Sequence, residues 1–530
     1  MKTKVKISLA LLTVAASSLS ACSLFNKNKG GNEPGSIEFW SSFGSMYSTA
    51  LQEVCDGVIQ ETGVNITHVQ KNSYDDIKKA MDSAIALGDY PNIAMGYPDH
   101  FASYLVSDVL HSVEDYFTQE ELNDYYPEYM TENHFYDWNS ENKLFAIPFN
   151  KSTELLGYNG VFVDYCATIN PDLANIPATW SEWAVKGPLY DAIFQGLMLQ
   201  KKFPDDPSKT DLVENSGKIV YGVQDTQGRA SQFEVVADGA PAPAGKQALL
   251  DFTKVDPYSS RLMSWDATDN AFITLVRQWG AEYTAVPETE NSNQPHKRYG
   301  HIRVNVPANQ EKIIDMLQFF NGLNKQHLFG TPTELGGNYS SDAFAKASVM
   351  FMVCSSGGLS YNTAKWNHRF SVAPIPYNTA DKKYVISQGA NICLTNKGNY
   401  EESTKVIKAL TTSKFQTEWC LKTGYYPCSK SAALSDEYQA FLTEQTYDSP
   451  TRVAYREGSI LNTNEYMDAS KNWTKFVDPA FDGSSEVRTL VKGVLDGIFA
   501  LPADAPRNDY KAKLTQLESA DITGNIVFDH

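Results

Sequence analysis

The chain has 530 residues, of which 42% are hydrophobic, so it can form two or three domains or two large lobes. Its formal net charge of −18 disfavours binding to nucleic acid or to anionic lipid surfaces. Its seven cysteines and nine histidines show neither CxxC nor zinc-type spacing. The composition therefore indicates an acidic globular protein without a metal motif.

The first residues have the pattern of an export signal. Three lysines precede an apolar run over residues 7–16, which is too short to span a bilayer as a helix. The sequence Leu-Ser-Ala-Cys that ends at Cys22 resembles the bacterial lipobox, whose cysteine is lipidated and becomes the mature N-terminus. We expect a signal peptide over 1–21, a lipidated Cys22 and a flexible linker over 22–36. The protein would then be lipid-anchored at the extracellular face of the cytoplasmic membrane; the alternative is an ordinary signal peptide cut elsewhere.

The next segments alternate between strand and helix patterns. The predicted order is strand 37–40, helix 51–59, strand 64–69, helix 75–87 and strand 92–96. Gly63 and Gly88 follow the two helices as stop signals. This order predicts a parallel sheet flanked by helices.

The rest of the chain is less regular. Further strands are predicted over residues 144–149, 349–353 and 370–374. Further helices are predicted over residues 181–198, 270–279, 310–324, 400–412, 415–422 and 485–499. The region 201–300 is rich in Asp, Pro, Ser and Gln with weak periodicity, so we interpret it as partly loops and insertions. We find no internal repeat.

Common catalytic motifs are missing from the sequence. It contains no GxxxxGK[ST], no HExxH and no GxSxG. The 63 acidic residues are typical of a solvated surface, although counting them does not exclude a glycosidase pair. Cys55 and Cys354 lie in apolar surroundings and are predicted core residues, whereas Cys420 and Cys428 could pair or stay free. We expect no cofactor and no metal.

Four segments, taken in order, resemble the extracellular solute-binding proteins of ABC importers. They are residues 37–44 (IEFWSSFG), 146–153 (AIPFNKST), 353–359 (VCSSGGL) with 388–391 (QGAN), and 422–427 (KTGYYP). The resemblance is to the carbohydrate-type family that includes maltose-binding protein. Within it, the segments are most similar to the glycerol-3-phosphate-binding members, with Lys151 in place of a serine.

The resemblance implies an α/β fold with two lobes of the maltose-binding-protein type and a ligand cleft between them. The N-terminal lobe would comprise residues 37–149 and about 385–428. The C-terminal lobe would comprise residues 150–384 and about 429–525, with insertions at about 201–345. The chain would cross between the lobes near residue 149, over 375–385 and over 426–431.

Carried over position by position, the resemblance implies six ligand-contacting residues: Tyr74, Ser152, Ser355, Gly389, Tyr425 and Arg488. Their chemistry suits a phosphate, because Arg488 would offer a forked charged contact. The serines would donate hydroxyl hydrogen bonds, and residues 355–358 have the pattern of a helix start with free N–H groups. The two tyrosines would close over the ligand.

Each of these residues also has a purely structural explanation. Arg488 could form a surface salt bridge, and Ser355 could cap a helix. The tyrosines Tyr74 and Tyr425 could be half-buried packing residues, and Gly389 could serve a tight turn.

The other end of the cleft departs from the glycerol-3-phosphate-binding members. They carry a glutamate directly after the tyrosine of the third strand, whereas here Pro98 follows Tyr97 and Asp99 comes one position later. Their cleft-lining tryptophan pair is also missing. Trp40, Tyr97 and Asp99 are therefore additional cleft candidates in a site that we expect to be rebuilt at its polyol end.

The resemblance implies a substrate-binding lipoprotein that captures a glycerol-3-phosphate-like phosphorylated polyol or a glycerophosphodiester. It would act as a monomer, without catalysis, and deliver the solute to a membrane permease driven by a cytoplasmic ATPase. One alternative is the same fold binding a neutral sugar or oligosaccharide, mainly through aromatic stacking. Alternatives of other classes are a surface hydrolase of glycosides or phosphodiesters, and an adhesin or sensor without a transport role.

Overall fold

The computed structural model describes most of the chain. The described residues are 35–137, 139, 141–198, 200–202, 213–215, 217–287, 298–363, 369–445, 449–520, 522 and 524–530. The predicted signal peptide, Cys22 and all but the end of the predicted linker lie outside them. Among the described residues, no helix combines the length and apolar character that crossing a membrane requires.

A six-stranded sheet organises the first half of the fold, and we call it the first sheet. Its strands, in spatial order, are Ile66–Lys71, Ile37–Ser42, Ile93–Gly96, Asn391–Thr395 and Leu110–His111, with Ala146–Pro148 also paired to Asn391–Thr395. The first three strands are parallel and alternate with two helices, as predicted, whereas Asn391–Thr395 runs antiparallel. This late strand returns the chain to the first sheet.

Helices cover the first sheet on a core that includes Phe39, Ile93 and Trp419. The helices that contribute to this core are Ser45–Thr62, Tyr74–Leu87, Pro98–Val106, Pro127–Met130, Ser340–Ala345, Leu359–Thr363, Tyr400–Leu410, Ser413–Thr423, Asp436–Thr443 and Pro450–Leu461. Two further short helices precede members of this set in the sequence: Gln119–Asp124 comes before Pro127–Met130, and Lys430–Ala433 comes before Asp436–Thr443. The predicted helices over 75–87, 400–412 and 415–422 are confirmed within one or two residues.

A seven-stranded sheet, the second sheet, organises the other half. Its strands, in spatial order, are Phe329–Gly330, Arg261–Trp265, Val349–Ser355, Ser152–Asn159, Tyr384–Gln388 and Thr474–Phe476, with Phe370–Ala373 also paired to Ser152–Asn159. The helices on its own core are Gly160–Ile169, Trp180–Leu197, Thr268–Gln278, Pro307–Lys325, Ser484–Lys492, Val494–Phe499 and Arg507–Thr515. Trp180 and Trp265 stack in this core with ring centroids 6.3 Å apart. The described residues therefore form two cores on two sheets.

Small sheets lie in and beside the region that we interpreted as partly loops and insertions. Lys218–Gln224, Ala230–Ala237 and Gln247–Asp251 form an antiparallel sheet, and Thr284–Ala285, Gly300–Ile302 and Ile526–Phe528 form a mixed one. Antiparallel pairs join Gln200–Lys202 to Val213–Asn215 and, elsewhere in the chain, His134–Tyr136 to Asn142–Leu144. The sequence pattern did not predict the strands of the antiparallel sheet, because no residue of Ala230–Ala237 is buried and the register shifts at Tyr221, which weakens the alternation.

Two predicted elements are divided in the structure. The helix predicted over 485–499 is two helices that meet at Gly493. The strand predicted over 144–149 is the short strand Ala146–Pro148, preceded by the hairpin strand Asn142–Leu144.

The cysteines in the described residues are all free thiols, namely Cys55, Cys166, Cys354, Cys393, Cys420 and Cys428. Cys55 and Cys354 are buried, as predicted. Cys420 and Cys428 do not pair, and the Cys428 thiol donates a hydrogen bond to the Phe149 carbonyl at 2.9 Å. Burial raises the pKa of the Cys428 thiol to about 12.

The chain passes between the two sheets at neighbouring points. Residues 149–151 connect Ala146–Pro148 to Ser152–Asn159, and residues 389–390 connect Tyr384–Gln388 to Asn391–Thr395. The second crossing thus lies after the predicted segment 375–385, because sheet pairing continues through Gln388. Tyr384–Gln388 belongs to the second sheet by this pairing, whereas the predicted N-terminal lobe segment was to begin at about residue 385. The division of whole segments between two lobes stays a prediction.

A buried ion pair joins these crossings. The Lys151 side chain is fully buried and contacts the carboxylate of Glu132, whose side chain is 2% exposed. The Lys151 Nζ also donates to the Gly389 carbonyl at 2.9 Å, and the Glu132 Oε1 accepts from Asn391 Nδ2 at 2.7 Å. The Tyr426 N–H donates to the Lys151 carbonyl at 2.8 Å, which joins the third predicted crossing segment, 426–431, to the other two. We call Lys151, Glu132, Gly389, Asn391 and Tyr426 the crossing cluster.

We expect Lys151→Ala to lower the free energy of unfolding by about 3–5 kcal/mol, because it leaves the Glu132 carboxylate buried without its cation. The double variant Lys151→Met/Glu132→Gln removes both charges and should be much less destabilised. Urea unfolding followed by tryptophan fluorescence measures both. Equal destabilisation of the single and double variants would show that the uncompensated charge is not the cause.

Gly389 provides a second test of the crossing cluster. Its φ is +97°, and an added Cβ would lie 1.8 Å from the Asn150 carbonyl oxygen. Gly398 has nearly the same φ, +98°, but no heavy atom lies within 4 Å of its Cβ position. We expect Gly398→Ala to lose about 1–2 kcal/mol from backbone strain alone, and Gly389→Ala to lose clearly more or to fail to fold. Thermal unfolding of the two variants compares them directly, and equal losses would contradict the close approach at Gly389.

Candidate functional site

A cavity of about 430 Å³ lies between the two sheets, and we call it the cleft. Its walls come from both halves of the fold. Its lining includes Tyr74, Tyr97, Asp99, His100, Asp269, Asn270, Gln388, Gly389, Asp478 and Arg488. Five of the nine predicted site residues, Tyr74, Tyr97, Asp99, Gly389 and Arg488, therefore line the same cleft.

Three of the acidic residues in the cleft lie at the starts of helices. Asp75, Asp99 and Asp269 occupy the first turns of Tyr74–Leu87, Pro98–Val106 and Thr268–Gln278. A carboxylate is favourable there because the first N–H groups are unpaired and the helix dipole is positive. The sheet topology thus places negatively charged hydrogen-bond acceptors around the cleft.

Tyrosine rings form the part of the wall next to the first sheet. The Tyr74 and Tyr97 rings meet at 60° with centroids 4.8 Å apart, and the Tyr74 hydroxyl accepts from Asn150 Nδ2 at 3.0 Å. Burial raises the pKa of Tyr74 and that of Tyr97 well above the usual value. Both hydroxyls therefore stay protonated at physiological pH, and the rings offer apolar faces.

Arg488 lines the cleft, but carboxylates already hold its guanidinium. Its Nη2 donates to the Asp269 Oδ2 at 2.9 Å and also to the Asn270 Oδ1. Its Nη1 donates to the Asp478 Oδ2 at 3.3 Å. Burial alone would lower the pKa of Arg488, yet Asp269 and Asp478 raise it above its ordinary value. Both terminal nitrogens of the arginine therefore have partners within the protein.

Asp99 and His100 give the cleft acceptors without cationic partners. The Asp99 Oδ1 accepts from the His100 backbone N–H at 3.0 Å. The His100 side chain is 4% exposed, and burial lowers the pKa of its ring, which is therefore neutral. Within the described part of the chain, the His100 Nδ1 has no hydrogen-bond partner, and Asp99 has no lysine or arginine at ion-pairing distance.

The predicted serines lie next to the cleft but not in its wall. Ser152 is buried, and the Ser355 hydroxyl donates to the Ser152 Oγ at 3.4 Å. Ser355 also accepts from the Gly357 N–H at 3.2 Å and caps a single 3-10 turn, Ser356–Gly358, before the five-residue helix Leu359–Thr363. The predicted helix start at 355–358 is therefore too short for an anion site at a helix end.

The remaining two predicted residues also lie outside the wall. The Tyr425 ring stacks on Trp419 with centroids 5.9 Å apart and lies against Gly357, where an added Cβ would be 2.7 Å from it. The Trp40 Nε1 donates to Glu38 Oε1 at 2.8 Å, and the Lys71 Nζ lies 3.9 Å from the Trp40 ring centroid. Neither side chain is a wall residue of the cleft.

Sequence reasoning missed Asp269, Asn270 and Asp478. Asp269 is adjacent to the predicted helix over 270–279, so a carboxylate at a helix start was a usable signal. Asp478 carried no local signal, because it belongs to no helix or strand and its partner Arg488 is defined by tertiary structure.

Glu154 connects the cleft to the second sheet from behind. Its Oε1 accepts from Trp265 Nε1 at 2.8 Å and from Asn270 Nδ2 at 3.2 Å. The Asn270 Oδ1 accepts from Arg488, so Asn270 links the Glu154 carboxyl to the guanidinium through hydrogen bonds. Complete burial raises the pKa of Glu154 to about 8. Among the described residues, no cluster of three His, Cys, Asp or Glu side chains could hold a metal ion.

Comparison with known proteins gives a family and a fold. The sequence profile of the bacterial extracellular solute-binding proteins matches residues 54–442, which is most of the chain. No curated protein sequence matches the chain.

Three solved structures illustrate the fold. UgpB from Mycobacterium tuberculosis, in complex with glycerophosphocholine, has a TM-score of 0.62 and 16% identity, covering 92% of this chain and 98% of that one. The GacH receptor of Streptomyces glaucescens, studied unliganded and with acarbose, has a TM-score of 0.60 and 11% identity. The match covers 91% of this chain and 98% of that one. Maltose-bound MalE3 of T. maritima has a TM-score of 0.59 and 12% identity, and the match covers 91% of this chain and 99% of that one. The predicted α/β fold with two lobes of the maltose-binding-protein type is confirmed.

The raised pKa of Glu154 predicts a pH dependence of stability. Glu154 is protonated in the folded protein up to about pH 8, whereas in the unfolded chain it ionises near 4.5. Between these values the unfolded state holds fewer protons, so Glu154 makes stability fall as the pH rises from about 4.5 to 8. We expect Glu154→Gln to gain stability relative to the unsubstituted protein over that range, by up to a few kcal/mol.

Melting temperatures of the two proteins at pH 5, 6, 7 and 8 measure this difference. The exposed variant Glu437→Gln serves as the control and should show a constant difference. A constant difference for Glu154→Gln as well would mean that the buried carboxyl ionises normally.

Proposed function

The chain belongs to the bacterial extracellular solute-binding proteins, and we propose that it captures a small, hydroxyl-rich solute for an ABC importer. The observation that carries the proposal is the cleft of about 430 Å³, whose walls come from both halves of the fold. This volume lies in the range of small-molecule sites. A solute that contacts both walls would favour closure, and the closed form would dock on the permease.

The side chains of the cleft support a carbohydrate, a polyol or a glycerophosphodiester as the solute. Carboxylate and amide oxygens of Asp99, Asp269 and Asn270 can accept hydrogen bonds from hydroxyl groups. The ring of Tyr97 offers an apolar face to a sugar or a glycerol carbon chain. Among the ligands in the structures compared above, acarbose and maltose are rich in hydroxyl groups, and glycerophosphocholine carries a glycerol.

A phosphorylated polyol such as glycerol-3-phosphate is the second candidate, because Arg488 lines the cleft. Its guanidinium is the natural partner of a phosphate if the solute can draw it away from Asp269 and Asp478. The predicted serine donors do not support this candidate, since Ser152 and Ser355 contact each other and lie outside the cleft wall.

The proposal includes the partners and the location inferred from the sequence. The protein would be a monomer held by a lipid on Cys22 at the extracellular face of the cytoplasmic membrane. It would deliver its solute to a permease whose ATPase lies on the cytoplasmic side, and it would bind the solute without transforming it.

A thermal-shift screen tests the proposal on the chain from Ser36 onward, which contains both cores. The panel comprises glycerophosphocholine, glycerol-3-phosphate, sugar phosphates, maltose and longer maltodextrins. A specific solute should raise the melting temperature with increasing concentration, because it binds only the folded state. If no compound shifts the melting temperature while product formation is detected with glycosides or phosphodiesters, the hydrolase alternative would replace the proposal.

Tyr97→Ala should weaken binding of whichever solute is found by about tenfold or more, because the ring forms part of the cleft wall. Isothermal titration calorimetry measures the affinity. The control Tyr258→Ala removes an exposed tyrosine that is not a wall residue and should leave the affinity unchanged. Unchanged affinity in Tyr97→Ala would place the solute elsewhere.

A further inference from the structure

The cleft has more carboxylates than cations in its wall. Its acidic residues are Asp75, Asp99, Glu132, Asp269 and Asp478, and its cations are Arg488 and Lys492. Glu132 is engaged by Lys151 in the crossing cluster. Asp75 and Lys492 are exposed and formally offset each other. The charge that a bound solute meets is therefore set by Asp99, Asp269, Asp478 and Arg488, and it is negative.

Arg488, the one arginine among the described residues of the wall, is held in place from two sides. Asp269 and Asn270 engage its Nη2, and Asp478 engages its Nη1. We call Asp269, Asp478 and Arg488 the guanidinium clamp. Because a guanidinium that turned to a solute would leave these carboxylates with one partner fewer, the clamp opposes its release.

Asp478 is also braced from behind the cleft. Its side chain is 9% exposed, and its Oδ2 accepts from the Tyr283 hydroxyl as well as from Arg488. The Arg277 Nη2 lies 4.0 Å from the Asp478 Oδ1. These contacts hold the carboxylate at its position, so the clamp is part of the packed structure and not a loose surface pair.

Other polar groups of the same wall lack partners. The Gln388 Oε1 and the His100 Nδ1 are buried and have no hydrogen-bond partner within the described part of the chain. The Asp99 carboxylate has no lysine or arginine at ion-pairing distance there. A solute hydroxyl can donate a hydrogen bond to the Asp99 carboxylate, whereas a phosphate dianion brings acceptors only and would be repelled by it.

We propose that Asp269 and Asp478 determine specificity: by holding Arg488, they make the cleft select neutral or zwitterionic polyols and reject phosphate monoester dianions. The proposal rests on the proposed function and narrows its solute class. It favours sugars and glycerophosphodiesters with a cationic head group over glycerol-3-phosphate. The charge of the solute, not only its shape, decides whether it enters the cleft.

Calorimetric titration of three probes tests the proposal at constant pH and salt. The probes are maltose, which is neutral, glycerophosphocholine, which is zwitterionic, and glycerol-3-phosphate, which is a dianion. The unsubstituted protein should bind at least one of the first two at least tenfold more tightly than glycerol-3-phosphate. Tightest binding of glycerol-3-phosphate would overturn the proposal, and failure of all three to bind would count against the proposed function itself.

Asp269→Ala tests the clamp directly, because it frees the Arg488 Nη2 from one carboxylate. We expect it to raise the affinity for glycerol-3-phosphate about tenfold or more relative to the other probes. Asp99→Ala is the matched control, since it removes the same charge from the same wall without touching Arg488. Equal gains in both variants would show that net charge alone decides, and no gain in either would remove the clamp from solute selection.

Asp478→Asn gives an independent second variant. It keeps the shape of the side chain and one acceptor for Tyr283 while removing the charge that holds Arg488. Its melting temperature is measured first, because Asp478 is buried. A folded Asp478→Asn that discriminates against glycerol-3-phosphate as strongly as the unsubstituted protein would overturn the role of Asp478.

Discussion

One buried cation, the Lys151 ammonium, lies where the chain passes between the two sheets. The segments that cross there come from distant parts of the sequence and meet through its contacts with Glu132 and Gly389 and through its backbone bond to Tyr426. A buried ion pair is weak evidence for added stability, but it demands that its partners take one arrangement. The relative position of the two sheets, and hence the width of the cleft, depends on this arrangement.

The crossing cluster and the cleft share residues. Gly389 and Glu132 contact Lys151 and also line the cleft. A solute that touches Gly389 therefore contacts the same backbone that must bend when the lobes move. In the proposed function, binding and closure would be coupled through these shared residues, without a long pathway between them.

The chemistry of the cleft follows from the way in which helices surround it. Helices that begin at its edge favour aspartate in their first turns, as at Asp99 and Asp269, because a carboxylate offsets the helix dipole. The same side chains then become acceptors for a solute. An acceptor-rich cleft is a consequence of helix stability in these elements as much as of solute recognition.

Local patterns sufficed for the first three strands of the first sheet and the two helices between them, since periodic apolar residues and terminal glycines mark both helices. They failed for the strands around Tyr221, where no residue of the neighbouring strand is buried. In the cleft, Tyr97 and Arg488 could be proposed from the family resemblance, but the carboxylates around Arg488 could not. Asp269 is 219 positions away from Arg488, and only the packing of Thr268–Gln278 against Ser484–Lys492 brings them together. Ser152 and Ser355 show the converse, because motif likeness did not reveal that their hydroxyls would contact each other outside the cleft wall.

The six buried thiols have a consequence for the life of the protein outside the cell. Each has its pKa raised by burial, so little thiolate is present to react with oxidants or with another thiol. While the protein stays folded, these six thiols should therefore react slowly with oxidants. Apolar packing, not covalent cross-linking, maintains the six cysteine sites of the described residues.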